Sequence, residues 1–187
     1  MNGVQPVRIP YTYREYACLP EDGQIHELIE GDFFVSPAPG SVHQTVSRRL
    51  QYALMRALEE TRLAWVFNAP TDVILGPHTV VQPDLAIVRT SRRDAISKRG
   101  IEGAPDVVVE IVSPTSGERD EYMKRFAYAR HGVPEYWLVT PEVGSVEIFR
   151  LDDQGLTPFR RFDRSSLLTT PSFAEVSIPL APIFAPL

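Results

Sequence analysis

The chain has 187 residues, of which 43% are hydrophobic, and its formal net charge at pH 7 is −5. This size and composition predict a single domain over residues 1–187, and the negative charge argues against a protein that coats nucleic acid by charge alone. The one cysteine, Cys18, excludes an intramolecular disulfide and a cysteine-rich zinc site, and no run of 18 apolar residues marks a membrane span. We therefore expect a soluble, cytoplasmic protein.

The first predicted elements are a short helix and a β-hairpin. Thr12 and Glu15 have the spacing of a capping box at the start of the helix. Two β-prone runs, at residues 25–29 and 33–35, flank the turn-like sequence Glu-Gly-Asp and predict the hairpin. Its first strand contains an acid, Glu27.

A long helix and two strands come next. Ser41 is the expected N-cap of an amphipathic helix that continues to about Glu60, because apolar residues recur there at the helical period. Strands are predicted over residues 65–75 and 80–88, on either side of a Gly-Pro pair. The second strand contains Asp84, which lies among apolar neighbours in the sequence VVQPDLAIV.

The stretch APDVVVEIVSP, residues 104–114, has the near-continuous apolar pattern of a strand covered on both faces. Asp106 and Glu110 interrupt the pattern, and the alternation of side chains along a strand puts both on the face of Val108. A carboxylate in such a strand is costly unless a cation, a hydrogen-bond donor or a metal compensates its charge. The stretch therefore predicts a compensating partner for these acids.

The remaining sequence completes an α/β pattern. Thr115 and Glu118 again have capping-box spacing and predict a helix that ends at Gly132, and strands are predicted over residues 133–139 and 146–151. The final PSFAEVSIPLAPIFAPL is too rich in proline for a regular helix and predicts a C-terminal arm that wraps a surface or a partner. The order strand, helix, strand predicts a mixed sheet with helices on its faces.

Acids on separate core strands indicate a shared function. Asp84 and Glu110 lie in two different apolar strands, and Glu27 lies in the earlier hairpin. Carboxylates brought together without a cation would repel one another. Because Mg²⁺ and Mn²⁺ prefer oxygen ligands, we expect one of these two ions at the site.

Three stretches of the chain resemble a known family. HELIEGDFFVSPAPGSVH, VQPDLAIV and GAPDVVVEIVSPTSGERDEYMKRFAYARHGVPEYWLV are similar to a large bacterial family of restriction-endonuclease-like proteins within the PD-(D/E)XK nuclease superfamily. The resemblance covers roughly residues 13–151. It implies a restriction-endonuclease-like core, in which a central mixed β-sheet is flanked by helices, and hydrolysis of DNA phosphodiester bonds with Mg²⁺ or Mn²⁺.

The resemblance also implies which residues form the site. In the superfamily, an acid after proline on one strand and an acid on the next hold the metal, and here these are Asp84, after Pro83, and Glu110. The lysine that usually stands two residues after the second acid is replaced by Val112. The resemblance implies that the family carries this lysine on the following helix, where the matching residue is Lys124. Its long side chain can bring the ammonium to the same place.

Other interpretations of these residues stay open at this stage. Lys124 could form a surface ion pair with Asp120, one helical turn away. Glu27 could be a further metal ligand or an edge-strand charge, and His43 could face the site or have no chemical role. Asp106, at the entrance of its strand, could be a solvated or turn-bonded acid. Three aromatic residues are interpreted as core or interface residues: Tyr128, Tyr136 and Trp137.

The sequence predicts a metal-dependent DNA endonuclease, and two alternatives from other classes remain. One is a catalytically silent interaction protein that keeps the nuclease fold, and the other is a metal-dependent hydrolase of a different phosphate substrate. The absence of GxSxG and HExxH motifs weakens a serine hydrolase or zinc protease. We also expect a homodimer, with the apolar stretch at residues 173–187 as an interface arm.

Overall fold

The computed structural model describes residues 9–20, 22–113 and 118–186, with side chains from residue 121 onward in the last range. The helices in these residues are α1 Tyr13–Tyr16, α2 Ser41–Leu54 and α3 Glu118–Arg130. The strands are β1 Ile25–Ile29, β2 Asp32–Ser36, β3 Ala64–Asn68, β4 Val73–Gly76, β5 Thr79–Val81, β6 Leu85–Arg89, β7 Ile96–Ser97, β8 Gly100–Glu102, β9 Val107–Ile111, β10 Glu135–Thr140, β11 Ser145–Asp152, β12 Gly155–Asp163, β13 Leu167–Thr169 and β14 Ser177–Pro179.

Two six-stranded sheets carry the fold. The central sheet has the order β12-β11-β10-β9-β6-β3, and the second sheet has the order β2-β1-β5-β4-β8-β7. Each sheet is mixed, because β9 runs parallel to β10 and β4 runs parallel to β8 while the other neighbours are antiparallel. The expected α/β fold with a mixed sheet and flanking helices is confirmed, and the second sheet is an addition to it.

The predicted side-chain cap is present at the start of α1 and absent at the start of α2. Thr12 and Glu15 form the predicted capping box of α1. The prediction that Ser41 caps α2 is wrong, since Gly40 occupies the N-cap without a side-chain hydrogen bond and Ser41 is the first helical residue. The helical run does extend as expected, because α2 passes directly into a π-helical segment at Met55–Glu59. The capping box predicted at Thr115 lies outside the described residues.

Two of the predicted strands are each divided between the sheets. Residues 65–75 form β3 in the central sheet and then β4 in the second sheet, and residues 80–88 form β5 and then β6. Pro70 and Pro83 lie in the connections, where a residue without an amide hydrogen interrupts no ladder. The expectation that Asp84 lies inside a strand is therefore wrong, because it directly precedes β6.

The position of strand β9 explains why its sequence is almost entirely apolar. It lies between β10 and β6, with apolar layers on both faces of the sheet. Val107, Val109 and Ile111 face a core that contains residues of α2 and the C-terminal segment. Val108 faces the opposite core, which includes residues of α3, so the alternation puts Glu110 on the α3 side.

The predicted strands after α3 are present as β10 and β11, but a further long strand follows them. Strand β12 pairs with β11 at the edge of the central sheet and is largely exposed. Its mixed polar sequence, with Pro158 inside it, lacks the apolar alternation that marks a buried strand. Pro is tolerated here because an edge strand leaves one row of backbone groups unpaired.

The C-terminal segment packs on its own chain. The described large apolar side chains of residues 173–187, where an interface arm is expected, are instead buried in the core beneath the central sheet: Phe173, Val176, Ile178, Leu180, Ile183 and Phe184. Arg49 of α2 also donates hydrogen bonds to the carbonyl oxygens of Ile183 and Ala185. The segment is thus a wall of the core.

A buried carboxylate holds the start of this segment. Glu135 accepts hydrogen bonds from Trp137 Nε1 at 2.6 Å, from Thr170 Oγ1 at 2.5 Å, and from both the amide and the hydroxyl of Ser172 at 3.0 and 2.7 Å. Four donors offset the penalty of burying the acid, which is the usual condition for a polar group in a core.

Among the described residues, no helix is both long and apolar enough to cross a membrane.

Candidate active site

One lysine joins acids from both sheets. Lys124 Nζ on α3 lies 2.9 Å from Glu27 Oε1 on β1 and 3.3 Å from Glu110 Oε1 on β9. The lysine side chain is only 11% exposed and that of Glu27 only 1%. Ion pairs with so little solvent around them are strong but need good geometry, since both partners lose their hydration. Lys124 is therefore not a solvated surface lysine.

Glu27 occupies the interior of the second sheet. Strand β1 has β2 on one side and β5 on the other, so the alternative of an edge-strand charge is wrong. Besides Lys124, the Glu27 carboxylate accepts a hydrogen bond from the amide of Gln82 at 2.9 Å. The Gln82 side chain in turn donates to Asp72 at 2.8 Å and thereby fixes the connection that leads to Asp84.

Glu110 lies at the centre of the charge cluster. Besides Lys124, it contacts Tyr128, whose hydroxyl donates a hydrogen bond to Oε1 at 2.5 Å. Burial raises the pKa of Glu110 to about 8, and the charges of Asp84 and Glu27 act in the same direction, whereas Lys124 and the Tyr128 hydrogen bond act against them. Without a further cation, Glu110 therefore takes up a proton near neutral pH.

Asp84 lies at the end of the central sheet, against the first turn of α2. Its Oδ2 accepts a hydrogen bond from the amide of Ile111 at 2.7 Å and lies 3.1 Å from His43 Nε2. Within the described part of the chain, Oδ1 accepts no hydrogen bond. One oxygen thus anchors the carboxylate, and the other remains available to a ligand.

His43 faces the site. It is buried, and its contact with Asp84 makes the interpretation without a chemical role the weaker one. Burial alone lowers the pKa of His43, but the hydrogen bond to Asp84 and the negative charge of that carboxylate outweigh burial and raise the pKa above its ordinary value. A protonated His43 would add positive charge beside Asp84.

Asp106 belongs to a separate cluster. The expectation of a solvated acid is wrong, because Asp106 is buried, lies 3.4 Å from the Arg89 and 3.3 Å from the Arg92 guanidinium, and accepts a hydrogen bond from the Arg89 amide at 2.9 Å. These donors come from β6 and the 3₁₀ turn that follows it. The two acids of the APDVVVEIVSP stretch thus have different compensating partners.

The donor set suits a divalent cation held by two carboxylates. Asp84 and Glu110 both supply oxygen ligands, and the charge of Asp84 raises the pKa of Glu110, which means that the two groups lie close enough to repel each other. In the described part of the chain, no three acidic, histidine or cysteine side chains are arranged as a metal cage. Mg²⁺ is commonly held by one or two carboxylates, with water and substrate phosphate as its other ligands, so these residues fit it.

Sequence reasoning missed three contacts at this site. The sequence predicts a core or interface aromatic at Tyr128, yet its hydroxyl binds Glu110. It gives no role to Gln82, which adjoins the Pro-Asp pair and whose amide binds Glu27. The spacing of Lys124 and Tyr128, four residues apart on one helix, was the available signal for their shared target. Nothing in the sequence pattern pointed from His43 to Asp84, because the two residues are 41 positions apart.

The raised pKa of Glu110 predicts a specific pH dependence of stability in the metal-free protein. A folded-state pKa of about 8, above the ordinary 4.5, means that the folded state binds more protons between these values, so stability falls as pH rises through that window. Glu110→Gln, which has no proton to lose, should show a smaller fall. Urea unfolding at a series of pH values with EDTA present measures it. Glu60→Gln, at an exposed position, is the control, and identical pH profiles for Glu110→Gln and the wild type would contradict the assignment.

Comparison with known proteins identifies the family. A family model described as Uma2, putative restriction endonuclease, matches residues 13–181. Among solved structures, the fold is similar to that of a putative nuclease belonging to DUF820 from Anabaena variabilis, with 24% identity, coverage of 94% of this chain and 98% of that chain, and a TM-score of 0.78. None of the curated proteins compared with the chain matches it. The resemblance noted in the sequence is confirmed, and the chain belongs to the Uma2 family of putative restriction endonucleases.

Proposed function

We propose that the protein is a metal-dependent endonuclease that hydrolyses phosphodiester bonds in DNA. The observation that carries this proposal is the contact of the Lys124 ammonium with Glu110, 3.3 Å away, because the chain has Val112 where the superfamily usually has its lysine. The family match supports a nuclease, and the charge cluster supports phosphate chemistry. The family likeness favours DNA over other phosphodiesters.

Asp84 and Glu110 would hold the metal in this proposal. A bound Mg²⁺ or Mn²⁺ would supply an activated water and would neutralise charge that develops on the phosphate. The protein's own contribution is to fix the two carboxylates. The Ile111 amide and His43 orient Asp84, and the Tyr128 hydroxyl orients Glu110. Both carboxylates are thus held before a substrate arrives, so little reorganisation is needed.

Lys124 would act on the substrate or on the attacking water. Its ammonium lies within 3.5 Å of two acids, Glu27 and Glu110, and therefore at the carboxylate that would hold the metal. Glu27 is better suited to hold the lysine than to bind metal, because its Oε1 already accepts from Lys124 and from the Gln82 amide. We therefore propose Glu27 as a site residue that positions the ammonium.

The metal proposal predicts the behaviour of two variants. Asp84→Ala or Glu110→Ala should remove most of the Mn²⁺ binding and leave the fold nearly intact, because each variant removes a charged ligand and also relieves repulsion in the metal-free protein. Isothermal calorimetry measures the affinity, and thermal unfolding with EDTA measures the fold. Asp94→Ala, at an exposed position, is the control. Unchanged Mn²⁺ affinity in both test variants would refute the ligand assignment.

The lysine proposal predicts a loss of rate without a loss of metal. Lys124→Ala should leave Mn²⁺ affinity close to that of the wild type and lower the rate of DNA cleavage by roughly 10²-fold or more, as the removal of preorganised electrostatic groups does. Lys98→Ala removes an exposed lysine and should have no effect. Cleavage assays under single-turnover conditions compare the variants, and a wild-type rate for Lys124→Ala would rule out its catalytic role.

A second substitution sharpens this test. Position 112 lies two residues beyond Glu110, roughly 6.6 Å along an extended chain, and alternation directs its side chain to the same side. Val112→Lys in the Lys124→Ala background should therefore restore part of the lost rate. Full rescue is not expected, because a new ammonium in a half-buried position brings strain and a lowered pKa.

The two alternative functions differ from this proposal in simple assays. Cleavage of duplex DNA by the purified protein, abolished by EDTA and by Glu110→Ala, separates an endonuclease from a silent interaction protein on the same fold. A substrate panel of RNA, nucleotides and branched DNA separates it from a hydrolase of another phosphate ester. Cleavage that survives in Glu110→Ala would indicate a contaminating nuclease.

We also propose that the protein acts as a homodimer, because cutting both strands of a duplex takes two active sites. The C-terminal segment is not available as an arm, since its apolar side chains lie in its own core. A groove of about 410 Å³ between α2 and this segment, bordered by the exposed Tyr52, is the surface that we propose instead. Light scattering at micromolar concentration should report twice the chain mass of 21.0 kDa, and Tyr52→Arg should halve that value. A wild-type mass of 21.0 kDa would contradict the dimer.

A further inference from the structure

A second hollow adjoins the catalytic residues. It has a volume of about 150 Å³ and lies between α3 and β10, where five residues line it: Glu121, Tyr122, Arg125, Tyr136 and Leu138. A smaller hollow that contains Glu110 and Lys124 shares three of these residues, Glu121, Tyr136 and Leu138. A molecule in the larger hollow would therefore lie directly beside the proposed catalytic centre.

The wall shared by the two hollows contains a buried hydroxyl, that of Tyr136, to which no described residue is hydrogen-bonded. Tyr136 is only 1% exposed. A buried hydroxyl normally has a partner, because leaving it unpaired costs free energy. Burial, and after it the charges of Glu110 and Glu121, raises the pKa of Tyr136 well above its ordinary value. The hydroxyl therefore keeps its proton and can donate a hydrogen bond to a ligand.

The hollow also offers a cation and an exposed aromatic ring. The Arg125 guanidinium lies 4.9 Å from the centre of the Phe149 ring and 6.0 Å from that of Tyr122. Among the described residues, no acid or carbonyl group pairs with this guanidinium. Tyr122 is 64% exposed, so most of its ring is open to a ligand.

This combination matches the chemistry of a nucleotide. An exposed tyrosine ring provides a stacking surface for a base, and arginine is well suited to bind phosphate. The volume is too small for a duplex and has room for part of one nucleotide.

We propose that this hollow is a subsite for one nucleotide of the DNA strand, next to the phosphodiester at Lys124 and Glu110. Its base stacks on Tyr122 and its phosphate lies at Arg125, with Tyr136 as a hydrogen-bond donor. This inference rests on the proposed nuclease function. The subsite holds the strand on the β10 side of the catalytic residues. It takes an unstacked base, either from single-stranded DNA or from a position where the duplex that is cleaved opens locally, because a stacked base presents only its edges.

Binding of fluorescein-labelled single-stranded DNA to the full-length protein, measured by anisotropy with EDTA present, tests the proposal. Tyr122→Ala should weaken binding at least roughly fivefold, as expected for the loss of one base–aromatic stack, and Tyr122→Phe should retain it. Arg125→Ala should weaken binding and also reduce its dependence on salt. Phe126→Ala is the matched control, because this neighbouring aromatic on α3 is 54% exposed and does not line the hollow.

An abasic residue, moved one position at a time along the oligonucleotide, locates the subsite. One position beside the cleaved bond should weaken wild-type binding as much as Tyr122→Ala does, and the two changes together should cost no more than either alone. Additive losses, or a Tyr122→Ala affinity equal to that of Phe126→Ala, would overturn the subsite while DNA cleavage by the wild type still stood. A wild-type protein that neither binds nor cleaves DNA would overturn both proposals.

Discussion

The site depends on the balance between several carboxylates and one ammonium in a region with little water. Glu27 and Glu110 both lie within 3.3 Å of Lys124 Nζ, and the charge of Asp84 is felt at Glu110. One lysine cannot neutralise all three acids, and the charges of Asp84 and Glu27 add to the burial that raises the pKa of Glu110. A divalent cation would correct the imbalance, because it brings the positive charge that the protein leaves out.

The two-sheet fold makes this arrangement possible. The chain passes from β5 in the second sheet to β6 in the central sheet through only three residues, Gln82, Pro83 and Asp84. The amide of Gln82 binds Glu27 on one sheet, while Asp84 binds the Ile111 amide at the end of the other. This short connection therefore couples both halves of the site. Tyr128 and Lys124 then reach Glu110 from α3, so helix, sheet and connection each hold one part.

Sequence reasoning recovered the elements that local patterns specify. The capping box at Thr12, the hairpin and the buried character of β9 follow from spacing and alternation. That Asp84 and Glu110 share a metal comes from the family resemblance and stays a prediction. It failed where the outcome depends on distant contacts. No local pattern tells which of two apolar runs belongs to which sheet, and the proline-rich C-terminal segment was interpreted as an external arm although Glu135 holds it from within the central sheet.

The distribution of the site over the chain has a consequence for biosynthesis. Glu27 belongs to the second sheet, Glu110 to the central sheet, and Lys124 to α3, which comes after both of these residues in the chain. The charge cluster therefore unites Glu27 and Lys124, which are 97 positions apart. Contacts of such sequence separation form only after the intervening chain has closed, which makes them late events in folding. A partly synthesised chain that ends before α3 lacks the lysine altogether. An activity of this kind would therefore arise only when folding is complete, and a truncated or misfolded product would present no hazard to the nucleic acid around it.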